Sequence, residues 1–277
     1  MLDDAVAFAR LGGTVLMRHF GHDVAATRKG DPSNVVTQAD LAAEHAIVQA
    51  IRARHPAHSV IAEETGCDLR DGEHCWVVDP LDGTSNFAAG IPWFGVLVAL
   101  LRHGQPIVGV LHLPASGELY CATLGGGAWR DGVRVAVARE PKLGNVLWAW
   151  GMDAASDGAA AERDSARLAR VLQHVRNVRA TNSLVDAAYV ADGRLGGMTN
   201  RSTRIWDIAA PMLIVAEAGG VFTRDDGAPL ALDISPAAAD RVYAVMAASP
   251  ALHAQMLALM QLPRAAGPVA SSPPAVG

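Results

Sequence analysis

Apolar residues recur at helical spacing from Asp4 to Phe20, where Val6, Phe8, Leu11, Val15, Leu16 and Phe20 predict the first helix. Gly12-Gly13 interrupts that pattern, and two adjacent glycines inside a helix point to close packing by a neighbouring element. A turn-rich loop is expected from Thr27 to Asn34 around Lys29-Gly30-Asp31-Pro32, then a short strand at Val35-Val36. Thr37-Gln38-Ala39-Asp40 resembles a capping box and opens a helix whose apolar positions are Leu41, Ile47, Val48 and Ile51. Beyond it the period changes. His58 to Glu64 reads as a strand ending in the paired carboxylates Glu63-Glu64. Trp76-Val77-Val78 is a continuous apolar run of the kind found in buried strands, with Asp79 the first chargeable residue past it and Pro80 as its stop.

Three further strand-like runs, Val96–Leu101, Ile107–Leu111 and Glu118–Ala122, are separated by His103-Gly104 and by Pro114-Ala115-Ser116-Gly117, which predicts an antiparallel meander. Helices are expected over Asp164–Val175, Leu184–Ala191 and Ile205–Ala218, the last stopped by Gly219-Gly220 before a strand at Val221-Phe222. Residues 263–277 are rich in proline, alanine and serine and are expected to form a disordered tail. Helices packed against two sheets is the architecture implied. It divides into an N-terminal α+β subdomain with an antiparallel sheet (1–140) and a C-terminal α/β subdomain (141–262).

The chain has 277 residues, enough for one unit of two layered halves, and a net charge of -5 with no basic tract. That balance argues against nucleic acid or an anionic membrane as a partner. The three cysteines, Cys67, Cys75 and Cys121, lack a C-x-x-C pair, which argues against a disulfide framework and a structural zinc site and fits a reducing cytoplasm. The start, Met1-Leu2-Asp3-Asp4, is acidic where a signal peptide is basic, and no apolar run approaches the ~18 residues of a membrane helix.

Four carboxylates stand at the ends of apolar elements: Glu63, Asp79, Asp82 and Asp207. Taken singly each has an ordinary reading, since helix N-termini and loops favour acids. Asp79-x-x-Asp82-Gly83-Thr84 is different, because it sets two hard oxygen ligands beside a glycine turn that brings backbone N–H groups close to a ligand. The cluster holds no histidine or cysteine, so Mg²⁺ or Mn²⁺ suits it better than zinc. Paired ions on such carboxylates stabilise the attacking and leaving oxygens of an in-line displacement, which points to phosphate ester hydrolysis. The ten histidines then need no catalytic role, and among the tryptophans only Trp93 stands near the turn.

These motifs resemble those of the inositol monophosphatase family of Mg²⁺-dependent, lithium-sensitive phosphomonoesterases. The resemblance rests on Val36-Thr37-Gln38-Ala39-Asp40, Ala62-Glu63-Glu64, Trp76 to Phe87 and Trp206-Asp207-Ile208-Ala209-Ala210, with Glu217-Ala218-Gly219-Gly220 behind. It implies a layered α+β and α/β fold of alternating helices and sheets, αβαβα, as in inositol monophosphatase and fructose-1,6-bisphosphatase. It also implies that Glu63, Asp79 and the Leu81 carbonyl bind a first Mg²⁺, that Asp79, Asp82 and Asp207 bind a second, and that Glu63 helps to hold a third through water. Mn²⁺ is an expected substitute and Li⁺ an inhibitor. Thr84, oriented by Asp40, works with Glu63 on the attacking water; the N–H groups of Gly83 and Thr84 bind phosphate, and Lys29 is the basic loop residue near the site. The implied substrate is a small phosphorylated metabolite, inositol monophosphate first, and the implied assembly a homodimer.

Two positions depart from the inositol pattern. Asn200 stands seven residues before Asp207, where inositol-hydrolysing relatives carry an acid, and Thr181-Asn182 replaces their Gly-Thr or Gly-Ser. Histidinol phosphate, with Asp186 or Asp192 for its amine, and adenosine 3',5'-bisphosphate, with Arg201 and Arg204 for its extra phosphate, stay open as alternatives. So does a regulatory binding role of the kind some bacterial members play with transcription machinery.

Overall fold

The computed structural model describes residues 1–21, 26–28, 35–70, 72–152 and 158–261, with the backbone alone for 26–28 and 35–37. Lys29 and the tail expected over 263–277 lie outside the described residues. The chain opens with α1 (Leu2–His19), the antiparallel pair β1 (Ala26–Arg28) and β2 (Val35–Thr37), and α2 (Gln38–Arg54). Thr27 and Arg28 are thus strand rather than loop. β3 (Ser59–Ala62), β4 (Gly66–Asp68) and β5 (His74–Asp82) lead through the short helix α3 (Thr84–Ala88) into β6 (Gly95–Arg102), β7 (Gln105–Leu113), β8 (Glu118–Thr123), β9 (Gly127–Arg130) and β10 (Val133–Arg134). The rest of the chain runs β11 (Leu147–Gly151), α4 (Gly158–His174), β12 (Asn177–Arg179), α5 (Val185–Ala191), β13 (Gly197–Thr203), α6 (Ile205–Glu217), β14 (Val221–Arg224), β15 (Tyr243–Ala248) and α7 (Pro250–Gln261).

An eight-stranded sheet has the order β10-β9-β8-β7-β6-β5-β3-β4 and is antiparallel except where β3 runs parallel to β5. A five-stranded sheet has the order β12-β11-β13-β15-β14, with β12, β11 and β13 parallel and β15 antiparallel to both of its neighbours. The period-2 alternation of the central strands explains how helices come to cover both faces of the large sheet. Trp76, Val78, Val96, Val98 and Leu100 pack with α1 and α2, whereas Val77, Leu97, Ala99 and Leu101 pack toward α5 and α6. The other face of the five-stranded sheet buries Trp148, Trp150, Met246 and Ala248 against α4 and α7. The layers are therefore α1/α2, large sheet, α5/α6, small sheet and α4/α7, the αβαβα order that the family resemblance implies.

Three local expectations change. The strand at Trp76 does not stop at Pro80 but continues to Asp82, because the ladder with β6 slips between Asp79 and Asp82. A proline has no N–H to donate, and a bulge is where a sheet tolerates that loss. On α2 the buried stripe is Ala39, Asp40, Ala43, Glu44, Ile47 and Ile51, while Leu41 is exposed. On α1 the buried face is Ala5, Phe8, Ala9, Gly12, Gly13 and Leu16, with Leu11 facing outward. The glycine pair does what close packing requires: a Cβ on Gly12 would lie 2.7 Å from Ile47 of α2, and one on Gly13 2.6 Å from the His112 ring of β7.

Candidate active site

The bulge in β5 builds the centre of the site. Asp79 is opposite Leu97 and Asp82 opposite Gly95, so β5 has one residue more than β6 between these pairs, and both carboxylates reach one cavity. The turn locks itself: Asp79 Oδ1 accepts the Leu81 N–H at 3.0 Å, and Thr84 Oγ1 donates to the Leu81 carbonyl at 3.0 Å. Gly83 follows with φ +86, and a Cβ there would lie 2.6 Å from the Trp93 carbonyl. Only glycine meets both demands.

The other two carboxylates arrive from the end of β3 and the start of α6. β3 and β5 are parallel with Ala62 opposite Val78, so the next residues in each strand direction, Glu63 and Asp79, come side by side. Asp207 enters from the first turn of α6, where its Oδ2 accepts the Arg204 N–H at 2.6 Å and caps the helix. The ordinary reading of Asp207 as a helix-end acid and the reading that puts it in the site are both met by one side chain. Asp82 Oδ2 accepts the Ser183 hydroxyl and, at 2.7 Å, the Leu184 N–H, which ties the β5 turn to the segment leading into α5.

Glu63, Asp79, Leu81, Asp82, Gly83, Thr84 and Asp207 line a single cavity of about 120 Å³ together with Asn182, Leu184, Asn200 and Ser202. No lysine or arginine is among these lining residues. Asp79 is buried and Asp207 half-buried, the two are hydrogen-bonded to each other, and both are pushed well above the usual carboxylate range, first by desolvation and then by the charge of Glu63. Asp40, buried in the first turn of α2, adds to the field on Asp79 without lining the cavity. Among the described residues no group of three or more His, Cys, Asp or Glu side chains forms a finished metal-binding cluster. The donors present are nevertheless all oxygen, and carboxyls raised by desolvation and by one another's charge are a place where a hard cation relieves the repulsion.

Several residues of the site were not singled out from the sequence. Ser183 and Leu184 hold Asp82, and Ser202 lines the cavity beside Asn200, its N–H bonded to Asn200 Oδ1 at 3.1 Å. Glu44 accepts the N–H groups of Glu64 and Thr65. A signal for it existed, since Asp40, Glu44, Ile47 and Ile51 share one helix face and two acids on a buried stripe need a reason. Asn182 has φ +53, a left-handed conformation that asparagine tolerates better than most residues.

Of the residues weighed for alternative substrates, Arg201, Arg204 and Asp192 are engaged elsewhere, and Asp186 is buried outside the cavity lining. Arg201 pairs with Asp164 at 3.0 Å and with Asp225, and Arg204 donates to the Asp240 carbonyl at 2.5 Å. Arg201 also faces a second cavity of about 290 Å³ with Arg224 and Arg241. There each arginine meets its own aspartate, Asp225, Asp226 or Asp233, so the cavity has no surplus positive charge. Asp192 is taken by Tyr120, Arg130 and Arg194. Asp186 is buried near Asp82 and pushed up to about 7, chiefly by desolvation.

A layered αβαβα fold that gathers carboxylates from separate elements around a glycine turn defines a phosphatase class, and similarity to known proteins agrees. Residues 1–261 match the inositol monophosphatase family, and the chain belongs to that family. An inositol-1-monophosphatase of Mesorhizobium japonicum is 38% identical over 237 residues, covering 84% of this chain and 88% of that protein. The Nus factor SuhB of Pasteurella multocida is 35% identical over 231 residues, with 82% and 86% covered. The crystal structure of the extragenic suppressor protein suhB from Bartonella henselae superposes with a TM-score of 0.84 at 30% identity, over 94% of this chain and 97% of that one. The protein is a phosphoric monoester hydrolase of a family that uses metal ions, and none of its described helices is long and apolar enough to cross a membrane.

Proposed function

We propose that the protein is a Mg²⁺-dependent phosphatase of a small phosphorylated metabolite, with inositol monophosphate the first substrate. The observation that carries this reading is the single cavity lined by Glu63, Asp79, Asp82 and Asp207 together with the Gly83-Thr84 turn. Glu63, Asp79 and the Leu81 carbonyl hold one cation, and Asp79, Asp82 and Asp207 hold a second, with a third bound more weakly beside Glu63. Mg²⁺ held there would supply positive charge where the described lining has none and would lower the pKa of a coordinated water toward neutrality.

The protein groups have distinct tasks. Thr84 and Glu63 would orient the attacking water, with Glu63 receiving its proton and Asp40 accepting the Thr84 hydroxyl once it turns from the Leu81 carbonyl. The N–H groups of Gly83 and Thr84 face the phosphate oxygens. Residues 1–140 carry Glu63, Asp79, Asp82 and Thr84, and residues 141–262 contribute Asp207, so each half supplies part of the site. A cytoplasmic homodimer, with Mn²⁺ as a substitute cation and Li⁺ as an inhibitor, belongs to the same reading.

The alcohol side of the cavity favours a neutral polyol. Asn182, Asn200 and Ser202 offer amides and a hydroxyl to ring hydroxyls. Adenosine 3',5'-bisphosphate finds no free guanidinium in Arg201, and histidinol phosphate finds Asp192 already paired. The relatives named Nus factor raise a partner-binding role that would add to hydrolysis rather than replace it.

The test is hydrolysis of inositol 1-phosphate, histidinol phosphate and adenosine 3',5'-bisphosphate in parallel, with and without Mg²⁺. Inositol 1-phosphate is expected to be cleaved fastest, only with the metal, and with millimolar Li⁺ inhibiting. Asp79→Asn is expected to abolish turnover, and full activity in that variant sinks the cation assignment.

A further inference from the structure

Glu44 lies one helical turn beyond Asp40 on α2 and is only 1% exposed. Carboxylates are almost never buried to that extent without partners. Here both oxygens are committed: Oε2 accepts the Glu64 N–H at 2.7 Å, and Oε1 accepts the Thr65 N–H at 2.7 Å. Those amides belong to the turn between β3 and β4, immediately after Glu63.

The placement of these bonds matters more than their number. The Glu64 N–H belongs to the peptide unit whose carbonyl is that of Glu63, so Oε2 fixes the backbone rotation on the C-terminal side of Glu63. Oε1 fixes the next peptide unit. β3 holds the N-terminal side through its parallel pairing with β5. Glu63 is therefore restrained on both sides, and the side chain facing the cavity starts from a fixed Cα. A turn can close with its own backbone bonds. A buried carboxylate in their place is an expensive way to close one, but its charge-assisted bonds make a stiffer anchor.

We propose that Glu44 is a positioning residue that clamps the Glu64 and Thr65 amides, holds Glu63 at the cavity, and thereby sets the protein's affinity for a divalent cation. This rests on Glu63 being a metal ligand. Groups that orient metal ligands typically change affinity by ~10–100-fold when removed. Glu44→Gln keeps the size and one acceptor oxygen but turns an NH₂ group toward one of the two N–H groups.

The experiment titrates Mn²⁺ into the full chain without substrate and reads free Mn²⁺ by its electron paramagnetic resonance signal. Wild type, Glu44→Gln, Glu63→Gln and the double variant are compared, and circular dichroism checks the fold. Glu44→Gln is expected to raise the Mn²⁺ Kd about tenfold or more. The double variant is expected to bind no more weakly than Glu63→Gln alone, since Glu44 acts through Glu63. If Glu44→Gln does not fold, Glu44→Asp, which keeps the charge but retreats by one methylene, takes its place in the comparison. An unchanged Kd in a folded Glu44 variant, or losses that simply add, overturns the proposal. If Glu63→Gln itself leaves Mn²⁺ binding intact, the metal-ligand reading of Glu63 fails, and the clamp's effect on affinity fails with it.

Discussion

Asp186 shows how much a single buried group can carry. Its carboxyl is 2% exposed, its Oδ1 has no hydrogen-bond partner, and burial lifts it to about 7 from an ordinary value of 3.8. The unfolded chain releases this proton near pH 4 while the folded chain keeps it to about pH 7. The folded state thus binds more protons across that window, and the contribution of Asp186 to stability falls as pH rises, then levels off above about 7. At ~1.4 kcal/mol per unit the loss is a few kcal/mol. Asp186→Asn is expected to stabilise the metal-free protein at pH 8 and to change little at pH 4, as read by urea denaturation at both pH values. An equal effect at the two would remove this account. At the same scale Thr84→Ala is expected to lower kcat about 100-fold or more while circular dichroism stays unchanged. An unaltered rate would take Thr84 out of the chemistry. The residue types of the site were legible in the sequence because carboxylates beside a glycine turn have few other uses. Ser183 and Ser202 were not, since a serine in a loop carries no signal until something faces it.

Elements are placed by close approaches as much as by apolar area. β7 crosses α6 at Gly109, where a Cβ would lie 2.8 Å from the Ala210 carbonyl. Because that neighbour is backbone, it cannot swing aside. Gly109→Ala is expected to cost about 1–3 kcal/mol by overpacking, measured as a lower urea midpoint, and to disturb Asp207 through α6. A variant as stable as wild type would mean that α6 slides freely. Glu217, at the end of α6, accepts the N–H groups of Gly125 and Gly127 at 2.7 Å each and fastens the β8–β9 turn to the helix. The helix itself was readable from its apolar run. That reading ran through Pro211 and holds: proline ordinarily removes a helix bond, and here the buried face of Ile205, Trp206, Ile208, Ala209 and Leu213 outweighs that loss. β11, β13, β15 and α7 escaped the sequence reading, whereas the meander β6–β8 stood out by its turns.

At the scale of the molecule, a polar cluster fastens the large sheet to the connection between α5 and β13. Asp192, with a side chain only 3% exposed, accepts from Tyr120 at 2.8 Å and from Arg130 at 2.7 Å, and pairs with Arg194 at 2.8 Å. Arg194 in turn reaches Glu118 at 2.8 Å and stacks 3.9 Å from the Tyr189 ring centroid. Removing the central acid takes the acceptor from the Tyr120 hydroxyl and leaves Glu118 as the carboxylate facing both guanidiniums. Asp192→Ala is expected to cost about 2–3 kcal/mol, less than a fully buried pair because the arginines are partly hydrated. Thermal unfolding checks this, and a loss below about 0.5 kcal/mol would reduce the cluster to surface decoration.

The sequence alone determined the layered fold, the carboxylates, and the class of reaction they suit. Those follow from local facts: the period of apolar residues, the conformational freedom of Gly83, and the oxygen chemistry of aspartate and glutamate. Only the tertiary structure decided that Pro80 lies inside a bulge, that Asp207 caps a helix while facing Asp79, that Arg201 is already neutralised by Asp164 and Asp225, and that Glu44 holds the turn behind Glu63. Each of these depends on at least one partner well beyond a helical turn away in the chain, the longest span being that from Asp79 to Asp207. A residue's neighbours in the chain fix its dihedral preferences, but which charges it meets depends on how the layers stack.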